Sequence, residues 1–128
     1  MAGTVSITEQ VHTSMKKVKF EWTSTTGGAA SDTTKNSYSG QLWKAIIAGS
    51  TTTAPSTGYD VKINDSDGYD VLDSLGVDLG TGTYQFHASS TGGTFAAVSP
   101  ISAVSSKLTL SVADAGNAKA GEVILYIR

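Results

Sequence analysis

The chain has 128 residues, a formal net charge of −2 at pH 7 and no cysteine, and over a third of its residues are Thr, Ser or Gly. A chain of this length forms one domain with its own buried core, and the lack of cysteine excludes a disulfide framework, a thiolate nucleophile and a Cys-based zinc site while leaving the redox compartment undecided. The near-neutral charge argues neither for nucleic acid nor for an anionic membrane surface as a partner, and neither is expected; no apolar run has the length of a membrane helix.

Residues 1–14 read as an extended N-terminal arm or edge strand, with Val5, Ile7 and Val11 as its apolar positions. The start Met-Ala-Gly-Thr-Val-Ser has neither the basic segment nor the apolar run of a secretion signal, so the expected location is the cytoplasm where the protein is made. Residues 15–23 alternate cleanly: Val18, Phe20 and Trp22 point one way, Lys17, Lys19 and Glu21 the other, the pattern of a half-buried strand. Residues 24–37 hold no large apolar side chain and contain Gly27-Gly28, which predicts a loop.

Residues 38–48 read as a strand with apolar residues on both faces around Leu42, Trp43, Ile46 and Ile47, followed by a second polar loop over 49–58. Tyr59, Val61 and Ile63 alternate with Asp60, Lys62 and Asn64 before Asp67-Gly68 turns the chain. A two-residue turn would set Asp65 opposite Asp70, which like charges disfavour. A three-residue turn over Ser66-Asp67-Gly68, with Gly68 left-handed, pairs Ile63 with Val71 and is preferred. Residues 72–80 suggest a helical turn, and short strands are expected at 83–87 and 94–98. Residues 107–113 form a clear strand with Leu108, Leu110 and Val112 inward, and the turn-rich stretch 114–121 leads to a final strand, Glu122–Arg128.

That last strand is apolar on both faces: Val123, Leu125 and Ile127 on one, Ile124 and Tyr126 on the other. It needs cover on both sides, from its own core or from a neighbouring chain. The elements add up to an all-β, single-domain β-sandwich or small barrel of about seven to eight short antiparallel strands, with residues 15–128 as the sandwich and 1–14 as its arm.

Charge is unevenly placed. Lys16, Lys17 and Lys19 cluster near the start, whereas Asp60, Asp65, Asp67, Asp70, Asp73 and Asp78 crowd a stretch relieved only by Lys62. Two solvated faces explain this; complementarity between neighbouring subunits is the sharper alternative. His12 and His87 stand apart with no second ligand at metal spacing. The run Asn64-Asp65-Ser66-Asp67-Gly68 has part of a calcium loop, but Ile63 occupies the first ligand place and Ser74 the twelfth, so a tight turn explains it better. No nucleophile elbow or phosphate loop occurs. Neither a catalytic residue, a cofactor nor a metal is expected, and an enzyme is the least favoured class. Trp22 shares its face with Val18 and Phe20 and reads as core; Trp43, with nearby tyrosines, is the one place for a sugar-stacking platform.

Several stretches resemble small structural proteins of tailed bacteriophages: Met1–Glu9, Val18–Trp22, the hairpin from Tyr59 to Gly68, and Asp114–Gly121 with the strand after it. The similarity runs nearly end to end and is weakest in residues 80–106. It implies a virion component made in the host cytoplasm, in the first place a minor capsid or decoration protein that binds the major capsid protein or other virion proteins as a homo-oligomer, with a trimer among the options. A tail or head-tail connector component and a carbohydrate-binding module are the alternatives. The family has no active-site residue to carry over. On this reading the contact residues are Val5, Ile7, Val11, Trp43, Ile124, Tyr126 and Arg128.

Overall fold

In the computed structural model, which describes residues 3–12, 14–72, 75–87 and 102–128, the chain is all-β, with nine strands among the described residues. They are β1 (Thr4–Val11), β2 (Lys16–Thr23), β3 (Ala30–Thr33), β4 (Tyr38–Gly49), β5 (Asp60–Asn64), β6 (Thr83–His87), β7 (Ser102–Ser106), β8 (Thr109–Ala113) and β9 (Ala120–Ile127). A six-stranded sheet runs β1-β2-β9-β4-β6, with β7 also paired to β4, and a three-stranded sheet runs β3-β8-β5. All pairings are antiparallel. Since β9 takes one edge of β4, β6 and β7 share the other, along the second and first halves of the strand respectively.

The two sheets enclose one apolar core, as the alternation in the sequence predicts. Val18, Phe20 and Trp22 of β2, Val123, Leu125 and Ile127 of β9, and Ala45 and Ile47 of β4 meet Val61 and Ile63 of β5, Leu108 before β8, and Leu110 and Val112 within it. Val71, Leu72 and Leu79, from the segment after β5, belong to the same core. Every large member of this set is essentially shielded from water, and each such side chain contributes about 1.5–3 kcal/mol of transfer free energy.

The final strand is central rather than peripheral. β9 lies between β2 and β4, with Leu125 opposite Val18 on one side and Ala45 on the other. Both its backbone edges are therefore used inside the chain, which leaves β9 no free edge on which a neighbour could add a strand. Of the two readings of residues 1–14, arm or edge strand, β1 takes the second: it pairs with β2 in continuous register from Thr4↔Thr23 to Val11↔Lys16 and forms the edge of the larger sheet.

The loop expected at 24–37 and the helical turn expected at 72–80 both come out differently. β3 lies inside 24–37, because Ala30 alternates into the core opposite Val112 despite its small size. The segment 72–80 holds turns and a bridge between Tyr59 and Leu79, with no helix among its described residues. The turn after β5 takes the preferred register: Val71 N–H donates to Ile63 O at 2.7 Å, Asn64 bridges Asp70, and Gly68 has φ +90°. β6 forms where expected, whereas the strand expected at 94–98 falls outside the described residues.

Candidate functional site

The outer face of the six-stranded sheet can be built row by row from the registers. One row reads Gln10, Lys17, Tyr126, Lys44; the next reads Thr8, Lys19, Ile124, Ile46; the third reads Ser6, Glu21, Glu122, Ala48. Ile124 and Tyr126 are half-buried. The Lys17 and Lys44 ammonium groups lie 5.8 and 5.9 Å from the centre of the Tyr126 ring. Both lysines are half-buried, and each ammonium interacts with the ring quadrupole. Side chains of β2 and β4 thus partly cover the second apolar face of β9.

A bulge completes this end. Leu42 pairs with Ile127 and Lys44 with Tyr126, so Trp43 is the extra residue. Bulges re-aim a side chain, and Trp43 is left 37% exposed. The Arg128 guanidinium sits 5.3 Å from its ring centre. Arg128 is itself fixed by reciprocal backbone bonds: its N–H donates to Gln41 O at 2.8 Å, and Gln41 N–H donates to Arg128 O at 2.9 Å. That close approach requires glycine at position 40, where φ is +135° and a Cβ would come within 2.2 Å of Arg128 O.

The result is a surface patch with two aromatic rings and three cations: Tyr126 with Lys17 and Lys44, Trp43 with Arg128. None of these three cations has a carboxylate partner among the described residues; the ion pairs there belong to Lys19, 3.5 Å from both Glu21 and Glu122. Those two carboxylates face each other across β2 and β9. The field of Glu122, then that of Glu21, raises the Lys19 pKa. The face is therefore polar in the electrical sense, basic around Tyr126 and Trp43 and net negative around Lys19, where one cation meets two carboxylates.

The other expected contact residues lie elsewhere. Val5 and Ile7 are on the inner side of β1, partly buried and packed against the core. Val11, at the far end of the strand, is 67% exposed. Glu9, also on the inner side, accepts the Tyr38 hydroxyl at 2.5 Å and the backbone N–H groups of Lys35 and Asn36 at 3.1 and 3.2 Å. Burial opposes its charge, but these hydrogen bonds prevail and hold its pKa below the usual value.

The aspartate-rich stretch has a structural explanation that the sequence does not announce. Asp65 accepts from the N–H groups of Asp67 and Tyr69, Asp70 from those of Ile63 and Leu72, and Asp60 from that of Asp78. These carboxylates satisfy turn and edge donors that would otherwise lack partners. Among the described residues, no group of His, Cys, Asp and Glu is arranged to hold a metal ion.

Sequence reasoning missed one further feature, an open groove of about 590 Å³ at the other end of the outer face. Thr4, Ser6, Glu21 and Glu122 line it, and Ala48, Gly49, Ala120 and Gly121 contribute its small residues. A depression made by missing side chains has no motif. Its only signal is the coincidence of Ala-Gly pairs at 48–49 and 120–121, which becomes visible once β4 and β9 are known to pair.

Compared with known proteins, the chain matches no family model, no curated protein and no solved structure.

Proposed function

We propose that this chain is a non-catalytic binding component of a tailed-phage particle, seated on the capsid surface through the basic, aromatic end of its larger sheet. The observation that carries the binding role is the patch itself: Lys17, Lys44 and Arg128 hold unpaired charge around Tyr126 and Trp43 on a rigid sheet. Aromatic residues and arginine are the side chains that most often anchor protein interfaces. Unpaired cations beside them suit an acidic surface on the major capsid protein or another virion protein, where complementary charge speeds association and fixes orientation. The virion assignment is supported by the resemblance of Met1–Glu9, Val18–Trp22, Tyr59–Gly68 and Asp114–Gly121 to phage structural proteins.

Quantitative mass spectrometry of purified particles tests the assignment. Copies in the hundreds support a capsid-surface protein, a single ring of copies supports the tail or connector alternative, and absence from the particle refutes both. Binding of purified protein to heads lacking it tests the surface. The double change Lys17→Glu and Lys44→Glu is expected to abolish attachment without unfolding the domain; undiminished attachment refutes the patch.

A carbohydrate-binding role centred on Trp43 is the second reading, favoured by the partial exposure of that ring. Against it, Arg128 already covers the ring at 5.3 Å, so a sugar would have to stack on what remains. Glycan binding lost on Trp43→Ala supports this reading, and a silent glycan array refutes it.

A further inference from the structure

The geometry points to β1 as a self-association edge, through which two copies of this chain pair antiparallel about a two-fold axis and join their larger sheets into one. The inference concerns the chain's own assembly and holds whatever the basic patch binds.

A sheet edge presents unpaired N–H and C=O groups, and monomeric proteins blunt it with short strands, lysine, proline, bulges or a covering segment. The other edges here show such devices. The free side of β5 is closed by the following segment: Val61 N–H donates to Gly76 O, Leu79 N–H to Tyr59 O, Val71 N–H to Ile63 O, and Ile63 N–H to the Asp70 carboxylate. β3 spans only four residues, and β6 and β7 five each. β1 is different. It has eight residues, contains no lysine, arginine or proline, and keeps unbroken register with β2. None of its residues is fully buried, and no described residue outside β2 bonds to its backbone between Thr4 and Val11.

The order of side chains along β1 says what fits this edge. Directly opposite residues in an antiparallel pair must share a face. Placing the two-fold axis at Ser6 sets Ser6 opposite Ser6 of the second copy, Thr4 opposite Thr8, and Val5 opposite Ile7. The outer row becomes hydroxyl against hydroxyl and the inner row aliphatic against aliphatic, both favourable cross-strand pairings. Glu9, the single charged residue of the strand, falls opposite Gly3 of the second copy, so its carboxylate keeps Tyr38, Lys35 and Asn36. Val5 and Ile7 already pack on the core but remain partly exposed, and this pairing would cover them. An isologous contact closes at two copies, so the geometry favours a dimer over the trimer entertained from the sequence.

The chain has no cysteine, so a lone Ser6→Cys change makes a clean reporter, because the axis places that position against itself. Mild oxidation should cross-link the full chain nearly completely, with Ser66→Cys as a control that stays uncross-linked. Ser6→Lys is the disruptive variant. Within one chain it lies opposite Glu21 and is tolerated, whereas across the axis it meets its own copy and should weaken dimerisation by about tenfold or more. Analytical ultracentrifugation is expected to show a dimer for the natural chain, a monomer for Ser6→Lys, and unchanged thermal unfolding of that variant in its monomeric form. A natural chain that stays monomeric at high micromolar concentration overturns the inference. So does a dimer that Ser6→Lys leaves intact, or one in which Ser6→Cys does not cross-link. Should Ser6→Lys fail to fold, the cross-link alone decides between these outcomes.

Discussion

The two faces of β9 should respond to truncation very differently. Leu125 is fully shielded between the sheets, opposite Val18 and Ala45. Leu125→Ala removes buried carbon atoms and leaves a cavity that rigid strands on both sides cannot collapse, at a cost of about 2–5 kcal/mol. Ile124, one residue earlier, is half-buried against Ile46 and long polar side chains that can rearrange. Full burial of such a side chain contributes about 1.5–3 kcal/mol, so Ile124→Ala should cost roughly half that or less. For a domain of this size, 1 kcal/mol shifts the melting temperature by about 3–5 °C, so Leu125→Ala should melt about 6–25 °C below the natural chain and Ile124→Ala only a few degrees below it. Trp22 reports from inside the same core, so denaturant unfolding followed by tryptophan fluorescence gives both free energies directly. Equal costs for the two variants, or a larger cost for Ile124→Ala, would refute the placement of β9 as a central strand with one core face.

Three further outcomes follow from the structure. Gly40→Ala forces a Cβ toward Arg128 O at a backbone angle that L-residues rarely adopt; a loss of about 1–3 kcal/mol in chemical denaturation is expected, with weaker binding through the displaced Arg128 and Trp43. Tyr59 is fully buried, its hydroxyl has no hydrogen-bond partner among the described residues, and burial, with Tyr84 second, pushes its pKa up to about 12. Tyr59→Phe removes an unsatisfied polar group and should leave stability unchanged or raise it, as differential scanning calorimetry will show. Glu9 has a lowered pKa, so its contribution is present above the unfolded value near 4.5 and is lost as pH falls through the lower folded value. Glu9→Gln should therefore be destabilised at pH 7, and its melting-temperature gap from the natural chain should close on acidification below pH 4.5; a gap constant with pH refutes the role given to that carboxylate.

Period-two alternation was enough to assign the core. Val18, Phe20, Trp22, Val61, Ile63, Leu108, Leu110 and Val112 can be read from the sequence as inward, and all are buried. The alternation reports a local property, since successive side chains on a strand must point opposite ways. The turn at Ser66-Asp67-Gly68 was legible for a similar reason: the left-handed backbone at Gly68 and the cost of setting Asp65 against Asp70 are both short-range. β3 was not legible, because it has one core-facing residue and that residue is alanine.

The site divides along the same line. Trp43, Tyr126 and Arg128 could be named from the sequence, as large side chains without an evident core role, whereas Lys17 and Lys44 could not be told from other solvated lysines. Their arrangement could not be read there, because it depends on which strands become neighbours. Only the order β2-β9-β4 brings Lys17 and Lys44 to either side of Tyr126, and only the bulge in β4 turns Trp43 toward Arg128. The strand most apolar on both faces thus became the centre of the sheet, a choice set by long-range pairing. By itself, the sequence determined an all-β chain, the inward side of its clearest strands and the turn that closes β5. The tertiary structure decided which edge stays open and where unpaired charge collects, because both follow from contacts between residues far apart in the chain.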